Sequence, residues 1–125
     1  MLKDHAAIAT IAVRDTKRSA DFYETTLGFE RVESMGDEAV TYRSGNAKLF
    51  VYRSEFAGTN KATSASFDVG DKITSLVESL RGKGVAFEHY DMPGMTRDGD
   101  IHSGEGMKVA WFKDPDGNII NLAGR

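Results

Sequence analysis

The sequence of 125 residues contains no cysteine, only two prolines and no long hydrophobic segment. The absence of cysteine excludes disulfides, thiolate zinc sites and a cysteine nucleophile. The longest nearly apolar stretch, residues 6–13, is much shorter than the roughly 20 residues that a membrane-spanning helix needs. No long apolar segment follows a basic N-terminal stretch, so we expect no secretory signal and a cytoplasmic protein.

Positive charge is not in excess either. The chain has 16 Lys and Arg against 19 Asp and Glu, for a formal net charge of −3. Nucleic-acid-binding domains usually carry a concentrated basic surface, so we expect neither a nucleic-acid nor a membrane partner. Hydrophobic residues make up 40% and charged residues 28%, which is typical of a globular domain. We therefore expect a single domain over residues 1–125 with its own hydrophobic core.

The first half of the chain predicts one helix among four strands. Residues 8–13 form a β-branched and small apolar run typical of a strand, and residues 19–27 carry apolar side chains at helical spacing. Asp15 or Thr16 can cap this helix by accepting hydrogen bonds from its first backbone N–H groups. Turn sequences then separate three further predicted strands: residues 29–34, 39–43 and 47–53.

The second half repeats the same order after a polar linker at residues 54–62. The spacing along the sequence from Asp15 to Asp71 equals the spacing from Gly28 to Gly84. This equal spacing indicates that the second half is a repeat of the first. Asp71 can cap the second helix. The strands predicted here are residues 64–69, 85–90, 107–112 and 118–123. The sequence thus predicts two tandem βαβββ modules, residues 6–53 and 63–125, with a long polar loop at residues 91–106.

The ratio of helices to strands predicts the fold class. One helix for every four strands is too few to cover both faces of a sheet. We therefore expect an α+β fold with its helices on one face and the other face open, rather than a doubly wound sheet. Loops as long as residues 91–106 are usually lids or binding loops in compact domains, so a ligand pocket is expected.

Two stretches of the sequence carry recognisable motifs: Ile11-x-Val13-x-Asp15-x-x-x-Ser19-x-x-Phe22-Tyr23-x-x-x-Leu27-Gly28-Phe29, and Phe112-Lys113-Asp114-Pro115-Asp116-Gly117-Asn118. They resemble the two signatures of the glyoxalase, bleomycin-resistance and extradiol-dioxygenase superfamily, which has the vicinal-oxygen-chelate fold. The resemblance implies a curved eight-stranded mixed sheet that forms a cup, with helices on its convex face and a pocket commonly completed in a homodimer. These motifs are specific for the fold and not for the chemistry, since the fold hosts isomerases, epimerases, dioxygenases, thiol transferases and antibiotic-binding proteins.

Both motifs also have a structural interpretation that involves no ligand. Phe22, Tyr23 and Leu27 share the spacing of a helix face, which favours a place in the core. Residues 114–117 read as a turn, because proline presets its own φ and Gly117 accepts a positive φ. We expect these residues to build the fold rather than to bind a substrate.

The resemblance also locates where a metal ion would lie. Metal-dependent relatives hold the ion with four His, Gln or Glu side chains, one from the first and one from the last strand of each module. The matching positions here are Ile8, Phe50, Ser64 and Asn121. Ile8 and Phe50 cannot coordinate a divalent ion, and Ser64 and Asn121 are weak neutral ligands. We therefore expect no metal and no other cofactor in this cup, which sets the chain apart from the catalytic relatives.

Strand alternation then predicts the lining of the cup, if the former ligand positions face inward. Trp111 has the opposite parity to Phe112, so it faces the cup if Phe112 belongs to the core. The predicted ligand-binding residues are Thr10, Phe50, Tyr52, Ser64, Ser66, Asp68, Trp111 and Asn121. Three aromatic rings with a few hydroxyl and amide groups suit a planar or amphipathic organic ligand.

Three functions remain open at this stage, and whether the chain is an enzyme is one of the open points. The first is metal-free binding and sequestration of a small aromatic or amphipathic antibiotic or metabolite, as in the bleomycin-resistance branch, by a homodimer. The second is a metal-free, glyoxalase-like lyase or isomerase that acts on a small organic substrate, with Glu88, His89 or His102 as its general base. The third is glyoxalase-like activity with a metal held elsewhere.

Overall fold

The computed structural model describes every residue, 1–125. After a short 3-10 turn (Leu2–Asp4), the first module forms β1 (Ala9–Val13), α1 (Thr16–Ala20), β2 (Glu30–Met35), β3 (Ala39–Ser44) and β4 (Ala47–Arg53). Helix α1 continues directly into a segment of π-helix, Asp21–Thr26. The four strands form one sheet in the order β1-β4-β3-β2, in which β1 runs parallel to β4 and the other pairs are antiparallel.

The second module follows the same plan with two additional strands. It forms β5 (Thr63–Gly70), α2 (Ile73–Gly82), β6 (Phe87–Glu88), β7 (Thr96–Asp98), β8 (Ile101–Gly104), β9 (Met107–Lys113) and β10 (Ile119–Gly124). The strand order is β5-β10-β9-β8-β7, and β6 also pairs with β9. The two sheets lie side by side where β1 approaches β5. The α+β class and the two βαβββ modules are thereby confirmed, and neither helix has the length and hydropathy needed to span a membrane.

Strands β7 and β8 lie inside the stretch predicted as a loop, and the strand predicted at residues 85–90 shrinks to two residues. The reason is that β6 and β8 share one edge of β9: Phe87 pairs with Phe112 near one end, and His102 with Val109 toward the other. The second partner satisfies backbone groups that a short β6 leaves unpaired. A two-residue turn with Gly99 first, at φ +61°, closes the β7–β8 hairpin.

One core joins the two modules. Alternate residues of the inner strands are at most 6% exposed and pack together beneath the helices: Ile11, Val13, Leu49, Val51, Ile120 and Leu122. Tyr23 from the first helical segment and Ile73 and Val77 from α2 join the same cluster, and Phe22 and Leu27 pack against it. The helices thus cover one face of both sheets. We call the other side, toward which the intervening strand residues point, the open face.

The helix caps follow the prediction in one module only. Asp15 caps α1, since its side chain accepts hydrogen bonds from the backbone nitrogens of Lys17 (2.9 Å) and Arg18 (3.3 Å). The prediction for Asp71 was wrong, because α2 begins at Ile73 with Lys72 as its N-cap and without a side-chain cap bond. A turn in which the Lys72 backbone nitrogen donates to the Val69 carbonyl (3.1 Å) moves the start of the helix past Asp71.

Candidate functional site

The second motif forms the predicted turn and ties the two modules together. Asp114 is 4% exposed, and its Oδ1 accepts hydrogen bonds from the backbone nitrogens of Asp116 (3.0 Å) and Asn118 (2.8 Å). Its Oδ2 accepts from the Tyr23 hydroxyl (2.7 Å) and from Asn118 Nδ2 (2.8 Å). The same Nδ2 also donates to the Ala12 carbonyl in β1 (2.7 Å). Burial, reinforced by the charge of Asp114, raises the pKa of Tyr23 far above its usual range, so the phenol stays a donor. These motif residues are structural, as predicted.

The first sheet presents a pair of stacked rings on the open face. Phe50 and Tyr52 lie 6.1 Å apart between ring centroids, with their planes inclined by 15°. Thr10 pairs with Phe50 across the β1–β4 ladder, so it belongs to the same row of side chains. Tyr52 lies between Ala12 on β1 and Ala39 on β3, and neither neighbour has a side chain long enough to cover it. Tyr52 is therefore 37% exposed and free to contact a ligand.

The second sheet presents a different mixture of side chains on the open face. Asn121 of β10 pairs with Ser66 of β5 on one side and with Trp111 of β9 on the other, so the three form one row. Phe112 is 1% exposed in the core, which places Trp111 on the open face as expected from strand parity. Asn121 is 8% exposed, and its Nδ2 makes only long contacts to backbone carbonyls, 3.3 and 3.4 Å.

The predicted ligand-binding residues thus lie in two groups, one on each sheet, rather than in one continuous lining. Thr10, Phe50 and Tyr52 lie on the first sheet, whereas Ser66, Trp111 and Asn121 lie on the second. Asp68 pairs with Ala123, two residues along β5 from the Ser66 row, and is exposed. Ser64 is the extra residue of a β-bulge between the pairs Thr63–Ile119 and Ala65–Ile120, so it stands outside the regular rows.

Trp111 is the centre of an aromatic cluster that the sequence did not predict. The Tyr90 ring lies 5.2 Å and the His102 ring 4.9 Å from it between centroids, both edge to face. Tyr90 follows Glu88 by two residues, and Glu88 pairs with Trp111. The sequence therefore could have placed Tyr90 beside Trp111, because the two-residue period of a strand puts Tyr90 on the same face as Glu88. His102 could not be found this way, because its strand β8 was not predicted.

The three candidate bases have different surroundings. Glu88 shares the open face with Trp111 and forms an ion pair with Lys113 at 3.1 Å. His89 is exposed, and its Nε2 lies 2.7 Å from Asp100 Oδ1. His102 is only 2% exposed in β8, so the prediction that placed it in a loop was wrong. Each of the three groups therefore has a different partner: Lys113 for Glu88, Asp100 for His89 and the Tyr90 backbone nitrogen for His102.

The donor set does not fit a divalent metal. Ile8 is 51% exposed before β1, and Phe50, Ser64 and Asn121 supply no imidazole or carboxylate at the other positions where metal-dependent relatives hold their ion. Across all 125 residues, no three His, Asp or Glu side chains are grouped so that they could hold a metal ion. A divalent site of the usual kind needs such donors at about 2.0–2.3 Å. We therefore derive no chemical step through a metal.

Asp100 lies in the β7–β8 turn and links it to α2 and to the segment after β6. It accepts hydrogen bonds from Arg81 Nε (3.0 Å) and Nη2 (2.6 Å) on α2, besides the contact with His89. The hydrogen bond to His89, together with the hydrogen bonds and charge of Arg81, lowers the pKa of Asp100 below its ordinary value of 3.8. A group with a lowered pKa in the folded state stabilises the protein above its unfolded pKa and loses this effect as the pH falls through its folded pKa.

We expect the Asp100→Asn variant to be less stable than the parent protein at pH 6, with a difference that shrinks as the pH falls below about 4. Urea unfolding at several pH values between 2.5 and 6 measures this. Asp98→Asn, in the same hairpin but without an ion pair, is the matched control. A stability difference for Asp100→Asn that stays constant over the whole pH range would contradict the assignment.

The structure has two βαβββ modules that share one core, and one face of the sheets has no helix on it. This arrangement is the paired-module α+β class that the two sequence motifs indicated. The family model described as Glyoxalase/Bleomycin resistance protein/Dioxygenase superfamily matches residues 4–122. The chain therefore belongs to this superfamily. No curated protein matches it in sequence.

Solved structures from this superfamily have the same fold at low sequence identity. A glyoxalase family protein from Enterococcus faecalis has a TM-score of 0.73 at 20% identity, over 98% of this chain and 99% of that one. Lactoylglutathione lyase from Agrobacterium tumefaciens has a TM-score of 0.71 at 16% identity, over 96% and 92%. The genomically encoded fosfomycin resistance protein from Listeria monocytogenes has a TM-score of 0.71 at 14% identity, over 97% and 93%. These similarities establish the fold and not the chemistry.

Proposed function

We propose that this protein binds a small, planar organic molecule on its open face without a metal ion. The observation that carries the proposal is Tyr52, which stacks on Phe50 and which the small side chains of Ala12 and Ala39 leave 37% exposed. Aromatic side chains supply large contact areas and favour stacked or edge-to-face partners. Trp111 on the second sheet adds a third ring, and Thr10, Ser66 and Asn121 supply groups that can orient a ligand through hydrogen bonds.

The chemistry of the face favours binding over metal-assisted catalysis. Residues that would have to coordinate a metal are Ile8, Phe50, Ser64 and Asn121, and none of them is a strong ligand. The relative from Listeria monocytogenes is described as a fosfomycin resistance protein, so antibiotic resistance occurs on this fold. We therefore favour sequestration of an antibiotic or a metabolite. Completion of the site in a homodimer and a cytoplasmic location stay predictions.

Binding can be measured by isothermal titration calorimetry, which needs no chromophore near the site. We expect 2-naphthol, a planar probe without charge at neutral pH, to bind the parent protein and to bind about tenfold more weakly to Tyr52→Ala, which corresponds to about 1.4 kcal/mol for one lost stacking partner. Phe56→Ala is the matched control, because Phe56 is 69% exposed in the linker and lies outside both groups. Equal affinity of the two variants, or no binding to the parent, would refute the proposal.

The second candidate function is a glyoxalase-like lyase or isomerase with Glu88 as its base. One observation favours it: Glu88 shares the open face with Trp111, where a substrate of the proposed kind would lie. An assay for lactoylglutathione, the compound in the name of the Agrobacterium relative, separates the two functions. Turnover would favour the enzyme, and ligand binding without turnover would favour sequestration.

A further inference from the structure

Asn121 is an unusual residue for its place in the fold. It lies on β10, which is an interior strand because β5 pairs with it on one side and β9 on the other. Asparagine is depleted in strands, and the other residues from 119 to 122 are all apolar. Asn121 is only 8% exposed, and enclosing an amide lowers stability unless its polar atoms are well hydrogen-bonded. A residue that breaks the local pattern at such a cost indicates a role beyond folding.

The two polar atoms of this amide have different surroundings. Nδ2 lies 3.3 Å from the Ala110 carbonyl oxygen and 3.4 Å from the Leu122 carbonyl oxygen, so it donates weakly to the backbone of the sheet. A flipped amide would bring Oδ1 against these two carbonyl oxygens, where no hydrogen bond can form. The contacts therefore determine the orientation of the amide, and they leave Oδ1 without a hydrogen bond.

A molecule on the open face can reach Oδ1. Two buried side-chain atoms have neither a hydrogen-bond partner nor contact with solvent, and these are His102 Nδ1 and Asp116 Oδ2. Asn121 Oδ1 also lacks a partner but is not one of the two, so it keeps accessible surface. Ser66 and Trp111 flank Asn121 in the same row and each carries a donor, but neither donates to Oδ1. A bound molecule can therefore supply the missing donor.

A carboxylate does not fit this row. It carries no donor for Oδ1, and its oxygens would lie against an oxygen that is itself partly negative. Asp68 adds a negative charge two residues after Ser66 on the same face of β5. Lys113, two residues after Trp111, is already paired with Glu88 at 3.1 Å. The row therefore favours an uncharged group that donates a hydrogen bond.

We infer that Asn121 selects the ligand of the open face: an uncharged planar molecule that donates an O–H or N–H hydrogen bond from its ring edge to Asn121 Oδ1, with the ring beside Trp111. The inference rests on the proposed function, since it concerns the ligand of the same face. It adds the group that the ligand must carry and the atom that recognises it. A site that hydrogen-bonds a ligand group discriminates strongly against analogues that lack the group.

The first experiment varies the ligand and leaves the protein unchanged. Isothermal titration calorimetry compares 2-naphthol with 2-methoxynaphthalene, which has the same rings but no donor. We expect the parent protein to bind 2-naphthol about tenfold more tightly. Equal or tighter binding of 2-methoxynaphthalene would overturn the inference, and weaker binding of both compounds to Tyr52→Ala would then leave the proposed function intact. If neither compound binds the parent, both proposals fail.

The second experiment removes the amide. Asn121→Val should lose the preference for 2-naphthol, whereas Thr63→Val, which removes an exposed hydroxyl from the same sheet, should keep it. Valine favours strands, so we expect the urea midpoint of Asn121→Val to be at least as high as that of the parent. An amide that serves only the sheet predicts the reverse, a lower midpoint with an unchanged preference. A preference kept in Asn121→Val would overturn the inference whatever the stability of the variant, and the ligand comparison on the parent decides the matter if the variant does not fold.

Discussion

Replacing Asp114 with alanine is expected to lower the free energy of unfolding by about 3–5 kcal/mol, one of the two largest effects in this protein. The substitution removes the acceptor for four hydrogen bonds at once: two from backbone nitrogens, one from the Tyr23 hydroxyl and one from the Asn118 amide. Tyr23 is fully buried, so its hydroxyl cannot turn to water for a new partner. Urea unfolding followed by Trp111 fluorescence measures the loss.

The matched control is Asp21→Ala, which removes an exposed carboxylate from the same helical region without breaking a hydrogen bond. It should change stability by less than about 0.5 kcal/mol. Tyr23→Phe should cost about 1–2 kcal/mol, because it removes only one of the four donors. A double-mutant cycle between Tyr23→Phe and Asp114→Ala should then show strong coupling. Additive effects would mean that the hydroxyl and the carboxylate do not interact in solution.

Gly58→Ala is expected to destabilise the protein by about 2–5 kcal/mol, although Gly58 lies in the linker between the modules. Two causes act together. Its φ of +73° belongs to the left-handed region that disfavours a side chain, and an added Cβ would collide with the backbone carbonyl of Asp116. This carbonyl cannot easily move aside, since the turn that contains it is fixed by Asp114. Thermal or urea unfolding of the purified variant measures the effect.

Gly45→Ala is the control that separates the two causes. Gly45 also has a positive φ, +59°, but a Cβ there would meet no atom within 4 Å. Its alanine variant should therefore cost only the backbone strain, about 1–2 kcal/mol. The difference between the variants measures the close approach of the linker to the turn. Equal destabilisation would show that the linker moves freely away from residues 114–117.

The motif residues stabilise the joint between the modules, which explains why they predict the fold so much better than the function. Tyr23 and Asp114 are 91 residues apart in the chain and meet only where the first helical segment reaches the turn before β10. Asn118 extends the contact to β1 through the Ala12 carbonyl. The groups that we propose for ligand binding lie on the opposite side of the sheets, so they can change while the joint is kept.

Local patterns in the sequence determined most of the architecture. The two-residue period of strands and the helical spacing depend only on the geometry of the chain, so they located the modules and separated the core residues from those of the open face. The same alternation placed Trp111 opposite Phe112. The positions at which a metal would need strong ligands came from the family resemblance instead, which placed Ile8, Phe50, Ser64 and Asn121 there.

Only the tertiary structure decided the surroundings of the site. Whether Tyr52 is covered depends on Ala12 and Ala39, which belong to other strands and become its neighbours through sheet pairing. The loop predicted at residues 91–106 became a hairpin because the free edge of β9 offered it backbone partners, and this buried His102. Such pairings join residues that are distant in sequence, and no local periodicity records them.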